Sequence, residues 1–101
     1  MVVVVFRSRV RPETAERYYA EVERMEAIAR SMPGYISNKG YFAEDGERVS
    51  IHEWESPEHL QAWRTHPEHL KLQKLGREEF YEEYTGYVCD APRTMRFQRE
   101  A

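Results

Sequence analysis

The sequence is poor in cysteine. Its one thiol, Cys89, cannot form an internal disulfide, and nothing about it points to an oxidising compartment. No apolar run approaches the length of a membrane span or a signal-peptide core; the first, Val2 to Phe6, is cut off at once by Arg7. Blocks of like charge are missing too. The 15 Lys and Arg are interspersed with 18 Asp and Glu for a net charge of -3. That excludes both the basic stripe a nucleic-acid partner needs and a long solvating tail. There is no Gly-x-Gly-x-x-Gly and no phosphate loop. No linker or low-complexity stretch interrupts the chain, and an aromatic content of 13% argues against disorder. Together these absences predict a soluble, cytoplasmic protein that engages neither nucleic acid nor a membrane.

What is present suits one compact domain over residues 1–101, small enough that a second copy would help it bury a core. Val2 to Phe6 is β-branched and continues to Arg11 with polar residues on odd positions, which reads as a strand. After Pro12, Ala15, Tyr18, Val22, Met25, Ala29 and Met32 recur at three- and four-residue steps. This predicts an amphipathic helix ended by Pro33-Gly34. Tyr35 to Ala43 and Arg48 to Glu55 read as a hairpin around the turn Glu44-Asp45-Gly46-Glu47. Helices are expected from 57 to about 84, broken near Pro67 and Gly76. A last strand is expected over Thr85 to Asp90, resuming over Thr94 to Gln98 after Pro92. The order β-α-β-β-α-β is the ferredoxin-like α+β pattern with an antiparallel sheet.

Helices in that pattern cover one sheet face. Yet Val3, Val5, Val49, Ile51, Tyr87 and Cys89 are apolar on the register opposite to Val2, Val4, Phe6, Trp54 and Val88. Strands apolar on both faces need a cover on both. A second copy of the chain supplies it, so a homodimer is expected.

Residues 56–73, SPEHLQAWRTHPEHLKLQ, contain Pro-Glu-His-Leu twice, with three histidines and a tryptophan. In each repeat a polar residue precedes a proline and an acid follows. A helix start asks for the same things: a cap, proline at the first helical position, and a carboxylate near the positive end of the dipole. Ser56 is a good cap and His66 a poor one. The repeat is punctuation for two short helices, and no metal site is predicted. Pro67 separates His66 from His69, and no third ligand is fixed by spacing.

The histidines also admit a chemical reading. In the first turn of a helix the dipole disfavours the imidazolium, leaving a neutral ring able to accept a proton near neutral pH. His59 reads as a surface residue completing a helix start; His69 reads equally as that or as a base. Trp63 shares a helix face with His59 and Leu60, while Trp54 and His52 point to one side of the sheet. Either tryptophan is a core residue or the lining of a cavity between helices and sheet. In Phe80-Tyr81-Glu82-Glu83-Tyr84 the phenols either pack or reach a ligand.

Trp54-Glu55-Ser56, Trp63, His66-Pro67-Glu68-His69, Gln73, Gly76-Arg77, Phe80-Tyr81 and Tyr84 together resemble the antibiotic biosynthesis monooxygenase family. Met32-Pro33-Gly34-Tyr35 is similar to that family's helix-to-strand turn. The resemblance implies a dimeric α+β barrel. It also implies oxidation of a quinol or polycyclic phenol by molecular oxygen with no flavin and no metal, the substrate itself passing an electron to oxygen. On that likeness Trp63 and His69 are the catalytic candidates, His69 as base, with Arg77 offsetting anionic charge. His52, Trp54 and Tyr81 join Arg77 as candidate substrate-binding residues. No cofactor is implied; the partner is a small aromatic or hydrophobic molecule. The family's haem-degrading relatives carry a histidine ligand where Gln73 stands and an asparagine on a first strand that here has none, so haem degradation is disfavoured. The contrasting expectation is a non-catalytic dimeric barrel that binds a small hydrophobic ligand or serves a stress response.

Overall fold

The computed structural model describes residues 1–100. It contains four strands, β1 (Val2–Val10), β2 (Tyr35–Phe42), β3 (Arg48–Trp54) and β4 (Tyr81–Asp90), and three α-helices, α1 (Ala15–Ser31), α2 (Pro57–Arg64) and α3 (Pro67–Leu75). A single 3-10 turn, Pro12–Thr14, leads into α1, and a wide π turn, Gly76–Phe80, follows α3. The strands form one antiparallel sheet in the order β2-β3-β1-β4, the ferredoxin-like arrangement expected. Among the described residues no helix is long and apolar enough to cross a membrane.

Period-two alternation assigns each strand residue a face. The register sets Asn38, His52, Val4 and Val88 in one row and Gly40, Ser50, Phe6 and Gly86 in the next, all toward the helices. The core sits on this face. Val2 and Trp54 of the sheet meet Met25 and Ala29 of α1 and Leu60 and Trp63 of α2, all buried. Removing one such side chain, Leu60 for instance, costs about 2–5 kcal/mol, because the site collapses only in part. The opposite face carries Val3, Val5, Val49, Ile51 and Tyr87, and Ile51 and Tyr87 are open to solvent.

Both proline-led helix starts are capped. The Ser56 hydroxyl accepts from the His59 N–H and lies 2.7 Å from its Nδ1. His66, expected to be a poor cap, does cap: its Nδ1 accepts from the Glu68 N–H at 3.1 Å. An imidazole nitrogen in its neutral form is an acceptor, so it can replace a hydroxyl here. His59 packs against the turn after α1. Gly34 has φ +83°, and a Cβ there would overlap the His59 ring. His59 completes the helix start as expected, but it is half-buried rather than a surface residue.

Two expectations fail near the C-terminus. The helical region stops at Phe80, and residues 81–84 belong to β4, which starts four residues earlier than expected. The cause is a bulge. Tyr84 pairs with Ser8, Glu83 with Arg9 and Tyr81 with Val10, leaving Glu82 as the extra residue. The bulge puts Tyr81 and Tyr84, three apart, on the same face, and that spacing imitates a helix. The second failure is the strand over Thr94 to Gln98. Residues 92–100 have no regular structure, and Met95 and Phe97 stand in solvent.

Candidate active site

Between the helices and the sheet lies a cavity of about 450 Å³, within the range that suits a small organic ligand. Its floor is the strand face just described. Its walls come from α1, α2, α3 and the π turn. One end is tryptophan and histidine. Trp63 stacks on Trp54 with centroids 6.2 Å apart, and His69 stacks on Trp63 at 4.5 Å and 15°. Tyr35 meets Trp54 edge-on at 5.6 Å. The other end is phenolic: Tyr81 donates a 3.0 Å hydrogen bond to the Tyr18 hydroxyl and packs against Tyr84 and Phe6.

The helix geometry explains the first end. Trp63 ends the buried stripe of α2, and Pro67 starts α3 after a short bend, with His69 in its first turn. The bend folds His69 back over Trp63. Burial pulls the His69 imidazole below its ordinary value, and the main-chain carbonyls of Trp63 and Arg64 offset this in part by favouring a proton on the ring. His69 Nδ1 lies 3.4 Å from the Gln73 amide nitrogen, which reaches back from one helical turn later. In the tautomer that accepts from Gln73 the ring proton sits on Nε2.

His52 lies deeper, on the floor. Burial, then the charges of His69 and Arg48, pull it down to about 4, so it is neutral at physiological pH. Its Nε2 is 3.2 Å from the Ser50 hydroxyl. At the phenolic end burial raises Tyr81, and the neighbouring Tyr18 adds to the rise, so its hydroxyl stays protonated and able to donate.

The cavity therefore brings together five of the six residues singled out from the sequence: His52, Trp63, His69, Arg77 and Tyr81 all line it. Trp54 does not. It is 1% exposed and sits behind Trp63, and its Nε1 has no hydrogen-bond partner. Arg77, on the π turn, is exposed at the cavity rim. Arg48, Ser50 and Asn38 also line the cavity and were missed. A signal for two of them existed: once His52 is given a sheet face, period two adds Ser50 and Arg48 to it. Among the described residues no three His, Cys, Asp or Glu side chains come close enough together to hold a metal ion.

The sequence model of the antibiotic biosynthesis monooxygenase family matches residues 1–75. The chain belongs to that family. The match ends with α3, and β4, which pairs along the full length of β1, lies beyond it. The uncharacterized protein YqjZ of Bacillus subtilis (strain 168) is 32% identical over 95 residues, covering 94% of this chain and 82% of its own. Solved structures share the fold at lower identity. Rv0793 from Mycobacterium tuberculosis has a TM-score of 0.81 at 23% identity, covering 94% of this chain and 98% of its own. SnoaB, a cofactor-independent oxygenase from Streptomyces nogalater, has a TM-score of 0.76 at 20% identity, covering 93% and 95%. Family membership and fold are thus shared with monooxygenases, while the chemistry of this chain has to be read from its own cavity.

Proposed function

We propose that the protein is a cofactor-independent monooxygenase that oxidises a quinol or polycyclic phenol with molecular oxygen. It would work as a homodimer in the cytoplasm, with residues 1–101 as one domain. One observation carries this reading: Trp63, His69, Arg77 and the phenols of Tyr81 and Tyr84 converge on a single open cavity instead of filling it. A pocket plugged by the two tryptophans would have favoured mere packing. SnoaB, a cofactor-independent oxygenase with the same fold, supports the reading.

The chemistry needs little from the protein. A phenolic hydroxyl gives its proton to neutral His69 at Nδ1, displacing the long Gln73 contact. The phenolate passes one electron to oxygen, and the resulting radical and superoxide join at a ring carbon that carries one hydrogen, the carbon that is CH2 in the keto tautomer. The peroxide then takes its proton back from His69. Loss of water from the hydroperoxide leaves a carbonyl. The balance is CH2 + O2 → C=O + H2O, with all four electrons taken from the substrate. Trp63 supplies the flat wall for the ring, and Arg77 stabilises the anion.

The dimer places a second sheet against Ile51, Tyr87 and their neighbours, whose exposure in the single chain supports that role. An oxygen-uptake panel over hydroquinones and polycyclic phenols tests the reading. His69→Ala should cut turnover by about 10²–10⁴-fold, the usual contribution of a positioned base. Absence of uptake above buffer across the panel would hand the cavity to the binding-protein reading.

A further inference from the structure

Ion pairing in this molecule is uneven. Arg7, Arg9, Arg11, Arg17, Arg24 and Arg30 each hold a carboxylate, at 2.7 to 3.6 Å. Before the end of β4 three arginines hold none among the described residues: Arg48, Arg64 and Arg77. All three line the cavity. Its one acidic lining residue, Glu26, is taken by Arg30 at 3.6 Å. The cavity is a place where positive charge has been left over in a chain whose net charge is negative.

Arg64 and Arg77 are exposed at the rim, where water can satisfy them. Arg48 is not so placed. It is half-buried at the start of β3, and its guanidinium lies over Gly40 so closely that a Cβ there would overlap it. Directly opposite Arg48 in the sheet register is Ser8, 1% exposed, whose hydroxyl has no hydrogen-bond partner. Two cross-strand neighbours, one a cation and one a donor, are thus both unanswered at the phenolic end. Buried polar groups are normally paired, and a guanidinium fork matches a carboxylate in particular. Arg48 and His52 share a face of β3 four residues apart, about 13 Å at the usual strand rise. One ligand can reach both ends.

We infer that the cavity takes an aromatic acid: a phenolic ring system against Trp63 and His69, with a carboxylate held by Arg48. This rests on reading the cavity as the substrate site, but it concerns binding, which can be measured without oxygen chemistry. Under argon, calorimetry with 1,4-dihydroxynaphthalene and with its 2-carboxylate should show the acid binding about tenfold to a hundredfold tighter, the contribution of a charge-assisted hydrogen-bonded pair. The preference should shrink as salt rises. Arg48→Gln should bring the acid to the level of the neutral compound, with a much smaller effect on the neutral compound itself. Gly40→Ala keeps the charge but displaces the guanidinium, so it should lower the preference by less. Equal affinity for the two compounds in the unaltered protein, no binding of either, or a preference that survives Arg48→Gln would each overturn the inference. Oxygen uptake from the same compounds is a separate readout. Arg48-dependent acid binding without uptake retires the monooxygenase reading alone, and uptake with no acid preference retires this one alone.

Discussion

His52 shows how burial at one residue becomes a property of the molecule. Its imidazole is pulled down to about 4 chiefly by burial on the cavity floor. In the unfolded chain it returns to about 6.5. Between those values the unfolded chain binds a proton that the folded one refuses, so acid favours unfolding. The His52 contribution should be flat above pH 7, fall through the window from about 6.5 to about 4 by up to ~1.4 kcal/mol per pH unit, and level off below, where the depressed carboxylates of Glu13, Asp45 and Glu68 take over the acid loss. Denaturant melts at half-unit pH steps check this, and His52→Gln should flatten much of the slope. His69 is also lowered by burial. The acid limb of kcat/KM should therefore fall below the ordinary histidine value of about 6.5, which a pH profile in unaltered protein reads directly. The cavity-lining residues of the tryptophan end were legible because each came with a spacing: Trp63 one turn after Leu60, His69 two after Pro67. Arg48 was not legible. Which arginines have no carboxylate depends on contacts between distant segments, such as Arg24 with Glu68, and spacing cannot report those.

At the scale of elements, punctuation was easier to read than termination. Ser-Pro-Glu and His-Pro-Glu start helices by local chemistry alone, and α2 and α3 begin at the two prolines. Ser56 serves twice, capping the α2 backbone and contacting the His59 ring that fills the space beside Gly34. Ser56→Ala should cost about 1 kcal/mol, roughly 4–8 °C in Tm for a chain of this size, seen by thermal unfolding. Gly34→Ala should cost more, because it combines a left-handed backbone with direct overlap on His59. The end of the helical region was misread because the β4 bulge at Glu82 reproduces a helical spacing for Tyr81 and Tyr84. A bulge is a fact about two paired strands, and one strand's sequence cannot announce it. The missing strand over Thr94 to Gln98 has a related cause: alternation was present without a partner to pair with.

For the whole molecule, the sheet leaves one face to the helices and the cavity and the other to whatever meets Ile51 and Tyr87. If a second copy meets it, light scattering at micromolar concentration should return twice the chain mass, and Ile51→Lys should return the monomer mass. A monomer in unaltered protein would remove the barrel. The central claim concerns oxygen, and isotope labelling tests it most directly. Turnover of an accepted quinol under 18O2, followed by mass spectrometry, should place one labelled oxygen in the product carbonyl. His69→Ala should slow that incorporation without changing its position. Product that acquires its oxygen from water, or oxygen recovered as hydrogen peroxide with none in the product, would contradict the account.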